Sequence, residues 1–86
     1  MGKRFVYFYF MKREPERIQS AVPSHIEYWR GSGLQEYTGG PFADRSGGLI
    51  TFEAEDLEAA TEVAMKDPFV SEDVLESKWI KEWVVE

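Results

Sequence analysis

The chain has 86 residues, 43% of them hydrophobic and 15% aromatic, with no cysteine and a formal net charge of −6. One small domain over 1–86 is expected, burying roughly 60–65% of its unfolded surface, a size that commonly gains stability by self-association. This composition excludes a disordered chain and a disulfide or thiolate-metal framework, and the acidic charge argues against a nucleic-acid or anionic-membrane partner.

The first apolar stretch, Phe5 to Met11, is too short to span a bilayer. It runs into Lys12-Arg13-Glu14 without a small-residue cleavage site, and Val6 stands where a myristoylation signal needs Ser or Thr. Its aromatic and β-branched content predicts a strand. Val6, Phe8 and Phe10 point one way and Phe5, Tyr7, Tyr9 and Met11 the other, so both faces are apolar. Helices cover one face of such a sheet; the other needs a partner subunit or a ligand.

Glu14 to Val22 reads as a polar connection with turn or short helical character. A helix is predicted from about Pro23, a residue suited to the first turn, to Arg30, with Gly31-Ser32-Gly33 ending it. Strands follow at Leu34–Thr38 and Leu49–Ala54, separated by the glycine-rich turn Gly39–Gly48. Asp56 caps a helix from Leu57 to about Lys66, with Leu57, Ala60, Val63 and Ala64 on one face. In Asp67-Pro68-Phe69 the aspartate caps a short turn and Phe69 plugs the core, although Asp67 could also lie near a pocket mouth. Ser77–Val85 is the last strand. The order is β-α-β-β-α-β, an α+β, ferredoxin-like arrangement with both helices on one face of an antiparallel sheet.

His25 is the only histidine and the only side chain whose ordinary titration falls near neutral pH. Asp44, in Gly39-Gly40-Pro41-Phe42-Ala43-Asp44, is a carboxylate that could orient it. Opposed to that is a purely structural role, His25 bonding Asp44 to pin a loop, or Asp44 serving only its turn. A metal site is not expected, since one histidine with scattered carboxylates makes no ligand cluster. The glycines match neither nucleotide-binding pattern. RNA-recognition modules share this strand order, but Gly47 and Leu49 stand where their stacking aromatics belong.

Several segments together resemble the YCII-related (YciI-like) proteins. They are Pro23-Ser24-His25-Ile26-Glu27-Tyr28-Trp29, Gly33-Leu34, Gly40-Pro41-Phe42-Ala43-Asp44, Gly47-Gly48, Leu57-Glu58-Ala59-Ala60, Asp67-Pro68-Phe69-Val70 and Trp83. The resemblance covers nearly the whole chain in order. It implies a dimeric α+β barrel built from two sheets packed face to face, and a pocket whose paired histidine and aspartate map onto His25 and Asp44. One branch of that family is credited with eliminating chloride from a chlorinated hydroquinone. Val22 departs from the pattern, because an arginine is common before Pro23.

The resulting expectation is a cytoplasmic homodimer, or a higher assembly, acting on a small, cyclic or aromatic organic molecule without metal or redox cofactor. His25 removes a proton and Asp44 supports the imidazolium, in an elimination or isomerisation. Tyr37, Phe42 and Phe69 are candidate pocket walls and Arg45 a candidate anion contact. The rival is a non-catalytic small-molecule-binding or accessory dimer.

Overall fold

The structure is a computed structural model that describes residues 2–86. In chain order it has β1 (Lys3–Met11), α1 (Pro15–Arg30), β2 (Thr38–Pro41), β3 (Gly47–Ala54), α2 (Leu57–Met65), α3 (Pro68–Ser71) and β4 (Leu75–Glu82). The strands form one sheet in the order β2-β3-β1-β4, every neighbouring pair antiparallel. This is the ferredoxin-like α+β arrangement, with α3 added as a single turn.

The alternation in β1 sets the layers. Phe5, Tyr7 and Tyr9 are buried on the helix side, where they meet Ile50 and Phe52 of β3, Trp29 of α1, and Ala60 and Ala64 of α2. Fully burying each large apolar side chain contributes about 1.5–3 kcal/mol, so this cluster dominates the fold. On the reverse face lie Val6, Phe8 and Phe10, with Leu49 and Trp79 paired opposite Phe8. Phe8 and Trp79 stack at 5.3 Å, yet Phe10, Leu49 and Trp79 remain 38%, 38% and 43% exposed.

Three elements differ from the sequence expectation. The first helix starts at Pro15, not Pro23, and carries Pro23 in its interior. Pro15 occupies the first turn, where a missing N–H costs nothing. An interior proline forfeits one ladder bond and costs about 3 kcal/mol in isolation; here the stripe Ile18, Ala21, Val22, His25 and Trp29, packed on the sheet, overrides it. His25 therefore sits mid-helix, away from the positive end of the helix dipole.

The second strand is Thr38–Pro41 instead of Leu34–Thr38. Glu36 adopts φ +54, which breaks the extended run, and Gly33 at φ +70 turns the chain before it, a conformation glycine adopts without strain. The glycine-rich Gly39-Gly40-Pro41, expected as turn, is the edge strand itself, a place where proline is tolerated. The last strand is shifted to Leu75–Glu82, with a register irregularity opposite Phe10 and Met11. The expected caps are present: Asp56 accepts from the Ala59 N–H at 2.8 Å and Asp67 from the Phe69 N–H at 2.8 Å. Leu57, expected in the core face of α2, is exposed.

Candidate functional site

α1 crosses the helix side of the sheet so that its inward stripe faces β1, and α3 follows α2 directly beneath it. His25, on that stripe, therefore meets two partners from distant parts of the chain. Its Nδ1 lies 2.8 Å from Asp67 Oδ1 and its ring stacks on Phe69 with centroids 3.9 Å apart and an 8° tilt. Asp67 is wholly buried. Its two oxygens accept from His25 Nδ1, from the Phe69 N–H at 2.8 Å and from Trp29 Nε1–H at 3.1 Å. With Nδ1 donating to a carboxylate, the imidazole lone pair is on Nε2, which the Tyr9 hydroxyl approaches at 3.4 Å.

The aspartate that His25 meets is thus Asp67, not the expected Asp44. Asp44 is exposed in the turn between β2 and β3, where its Oδ1 accepts from the Ser46 N–H at 2.9 Å and the Ser46 hydroxyl at 2.7 Å. Those bonds from Ser46 hold its carboxyl below the ordinary aspartate range. Within one chain it makes no bond to His25.

His25 and Tyr9 open onto a cavity of about 680 Å³ between α1 and the β2–β3 half of the sheet. Of the expected wall residues, Tyr37, Arg45 and Phe69 line it. Phe42 does not: its ring packs against Phe10 at 5.7 Å, on the reverse face of the sheet. Ile18, Val22, Met11 and Ile50 supply further apolar lining, and Arg30 a second cation. A shallower depression of about 430 Å³ beside Ser24, Glu27, Tyr28 and Gly31 is away from this chemistry. Among the described residues no three His, Cys, Asp or Glu side chains are grouped as metal ligands, and no helix is long and apolar enough to cross a membrane.

Tyr9 and Trp29 were not singled out from sequence as members of the site, and Asp67 was expected no nearer than a pocket mouth. For the first two a signal existed. Tyrosine in place of phenylalanine on the buried face of β1, and tryptophan four residues after His25 on α1, both bring polar hydrogens that need a partner inside. Gly48 serves Tyr9 directly, since a Cβ there would collide with the tyrosine hydroxyl. Burial, and after it the Asp67 charge, raises the Tyr9 hydroxyl well above the ordinary tyrosine range. The same causes in the same order raise Tyr7, whose buried hydroxyl has no well-formed hydrogen bond among the described residues. Both phenols stay neutral donors at physiological pH.

Both groups ionise more easily in the unfolded chain, near pH 10, than in the folded one. Their contribution is fully present below about pH 10 and is lost as pH rises toward the folded-state values. The urea midpoint is expected to hold between about pH 8 and pH 9.5 and to fall above about pH 10.5. Tyr9→Phe should make that fall shallower; an unchanged alkaline slope would contradict this account.

Comparison with known proteins places the chain. The model of the YCII-related domain matches residues 5–84. The chain belongs to this family. No curated protein sequence matches it. Among solved structures, it is similar to 5-chloro-2-hydroxyhydroquinone dehydrochlorinase from Burkholderia phenoliruptrix AC1100, in complex with 2,5-dihydroxybenzoquinone. The TM-score is 0.78 at 16% identity, over 94% of this chain and 93% of that one. A dimeric ferredoxin-like protein of unknown function from Thermobifida fusca matches at TM-score 0.58 and 10% identity, over 99% and 92% of the two chains. A mutant form of a cofactor-independent oxygenase from Streptomyces nogalater matches at 0.56 and 12%, over 98% and 92%. At these identities the likenesses establish the fold alone.

Proposed function

We propose that this YCII-related protein is a homodimeric enzyme that removes a proton from a small cyclic organic molecule in the His25 cavity, leading to an elimination or isomerisation. The observation that carries the reading is the 2.8 Å bond from His25 Nδ1 to the buried Asp67, which leaves Nε2 as the base on the cavity side. Asp67 accepts from Nδ1 throughout and supports the imidazolium once Nε2 has taken the proton. The electron pair left on the substrate forms the new double bond in an elimination; in an isomerisation it moves along the ring and His25 Nε2–H returns the proton at the new position. In an elimination the leaving group departs with its own bonding pair. Tyr9, a neutral donor beside Nε2, is placed to hydrogen-bond an oxygen on which negative charge builds. None of these steps requires a metal or redox cofactor. The dehydrochlorinase relative makes loss of hydrogen chloride from a chlorinated hydroquinone the first reaction to try.

The test is chloride release from 5-chloro-2-hydroxyhydroquinone, together with solvent deuterium incorporation into the recovered organic compound. His25→Ala should remain folded, since Asp67 keeps its bonds from the Phe69 N–H and Trp29 Nε1–H, and lose at least 100-fold in rate, the usual scale of general-base catalysis at about 10²–10⁴. Binding without chloride release or exchange would show a binding protein in place of an enzyme.

A further inference from the structure

Two guanidinium groups stand outside that chemistry. Arg30, the last residue of α1, and Arg45, in the turn between β2 and β3, both line the cavity with His25. Among the described residues no Asp or Glu lines it, although acidic residues outnumber basic ones 16 to 10 in the chain. The carboxylate behind His25 is not part of the lining: Asp67 is wholly buried and its oxygens are taken by three donors, so it is not available to pair with either arginine, although its charge reaches Tyr9. Among the described residues neither arginine is ion-paired. A net-negative protein thus carries a cavity whose charged lining groups are cationic.

The backbone at Arg45 is a second, independent observation. Its φ of +65 lies in the left-handed region, where a Cβ is strained and glycine is favoured. The turn is held by Phe42 N–H to Gly47 O at 2.8 Å, Arg45 N–H to Phe42 O at 2.9 Å, and the two bonds that Ser46 donates to Asp44. Glycine would suit the position better, yet the chain places there a long cation lining the cavity. Glu36 and Asp73 share the conformation away from the cavity, so what distinguishes Arg45 is that its side chain lines the cavity.

We propose that the cavity takes a small cyclic organic anion, its carboxylate or phenolate met by Arg30 and Arg45 and its apolar body set against Ile18, Val22 and Phe69. This assignment rests on the proton-abstraction reading of His25 and names the class of molecule that the site accepts. Planar guanidinium groups favour such oxygens through paired N–H donors. Asp44 is then a positioning residue: it shapes the turn that delivers Arg45.

Benzoate and its neutral isostere benzamide are the probes, titrated into the intact protein while the ring resonances of the only histidine are followed by NMR. Benzoate should perturb His25 and bind at least tenfold more tightly than benzamide, with an advantage that shrinks as salt is raised. Arg45→Gly should raise the melting temperature by relieving the turn while weakening benzoate about tenfold. Asp44→Ala should weaken benzoate as well, and Asp44→Asn, which keeps the turn acceptor, should restore most of it. Equal affinity for the two probes, or Arg45→Gly binding benzoate as the native chain does, overturns the anion assignment. So does the absence of any His25 response to benzoate. The dyad reading fails separately, if His25→Ala leaves chloride release and deuterium exchange unchanged.

Discussion

Asp67→Asn is expected to leave a folded protein with a small loss of stability and a large loss of turnover. Asparagine caps helices about as well as aspartate, so the bond from the Phe69 N–H survives. With the amide oxygen at the Oδ1 position, His25 Nδ1 also keeps an acceptor. The amide nitrogen then faces Trp29 Nε1–H, two donors meet, and one buried N–H is left without a partner. That costs about 1–3 kcal/mol. Turnover suffers more, because the carboxylate charge that supports the imidazolium is gone. The rate should fall about 10²–10⁴-fold. The alternative amide orientation gives the same outcome, since an NH₂ facing Nδ1 forces the proton onto Nε2 and removes the base. Urea unfolding and the deuterium-exchange rate measure the two effects. Adding Trp29→Phe should recover part of the stability, because the orphaned donor is deleted while an aromatic ring is retained, and none of the turnover. Native-like exchange in Asp67→Asn would remove the dyad from the mechanism.

The sequence carried much of this arrangement and missed its central contact. The layers were legible because strand periodicity is short-range: Phe5, Tyr7 and Tyr9 alternate with Val6, Phe8 and Phe10 whatever the rest of the chain does. The caps at Asp56 and Asp67 were legible for the same reason. The start of α1 was obscured by Pro23, whose local preference for a helix start yields to the packing of Ile18 and Ala21. The edge strand Thr38–Pro41 was obscured by glycines, whose own preference points to a turn.

The pairing of His25 is a different case. Asp67 lies 42 residues away and reaches the imidazole only because α3 packs beneath α1. No local pattern records that contact. Asp44, among glycines, looked like a delivered carboxylate, and its real contacts are with Ser46 two residues on. The polar atoms of Tyr9 and Trp29 were the available clue. Buried hydroxyls and indole N–H groups require partners, and the buried acceptor that satisfies Trp29 also orients His25.

The reverse face of the sheet supplies the other large effect. Phe8, Phe10, Leu49 and Trp79 form a continuous apolar surface that no helix among the described residues covers. A monomer leaving that face in water would forgo roughly 25 cal/mol for each Å² that a second copy could cover. A second sheet packed on it is the simplest way to remove the exposure. The native protein should therefore sediment as a dimer, with a melting temperature that rises with protein concentration. Trp79→Glu places a carboxylate at the centre of this surface, opposite Phe8. An unpaired charge buried in such an interface costs about 3–5 kcal/mol, which raises the dimer dissociation constant by about 10²–10³-fold or more. The variant should sediment as a monomer at micromolar concentration and melt independently of concentration. Its His25–Asp67 bond lies on the other side of the sheet and should survive, visible as a retained Nδ1–H resonance. A native chain that stays monomeric at high concentration would leave the apolar reverse face unexplained and refute the dimer; a variant that stays dimeric would place the interface elsewhere.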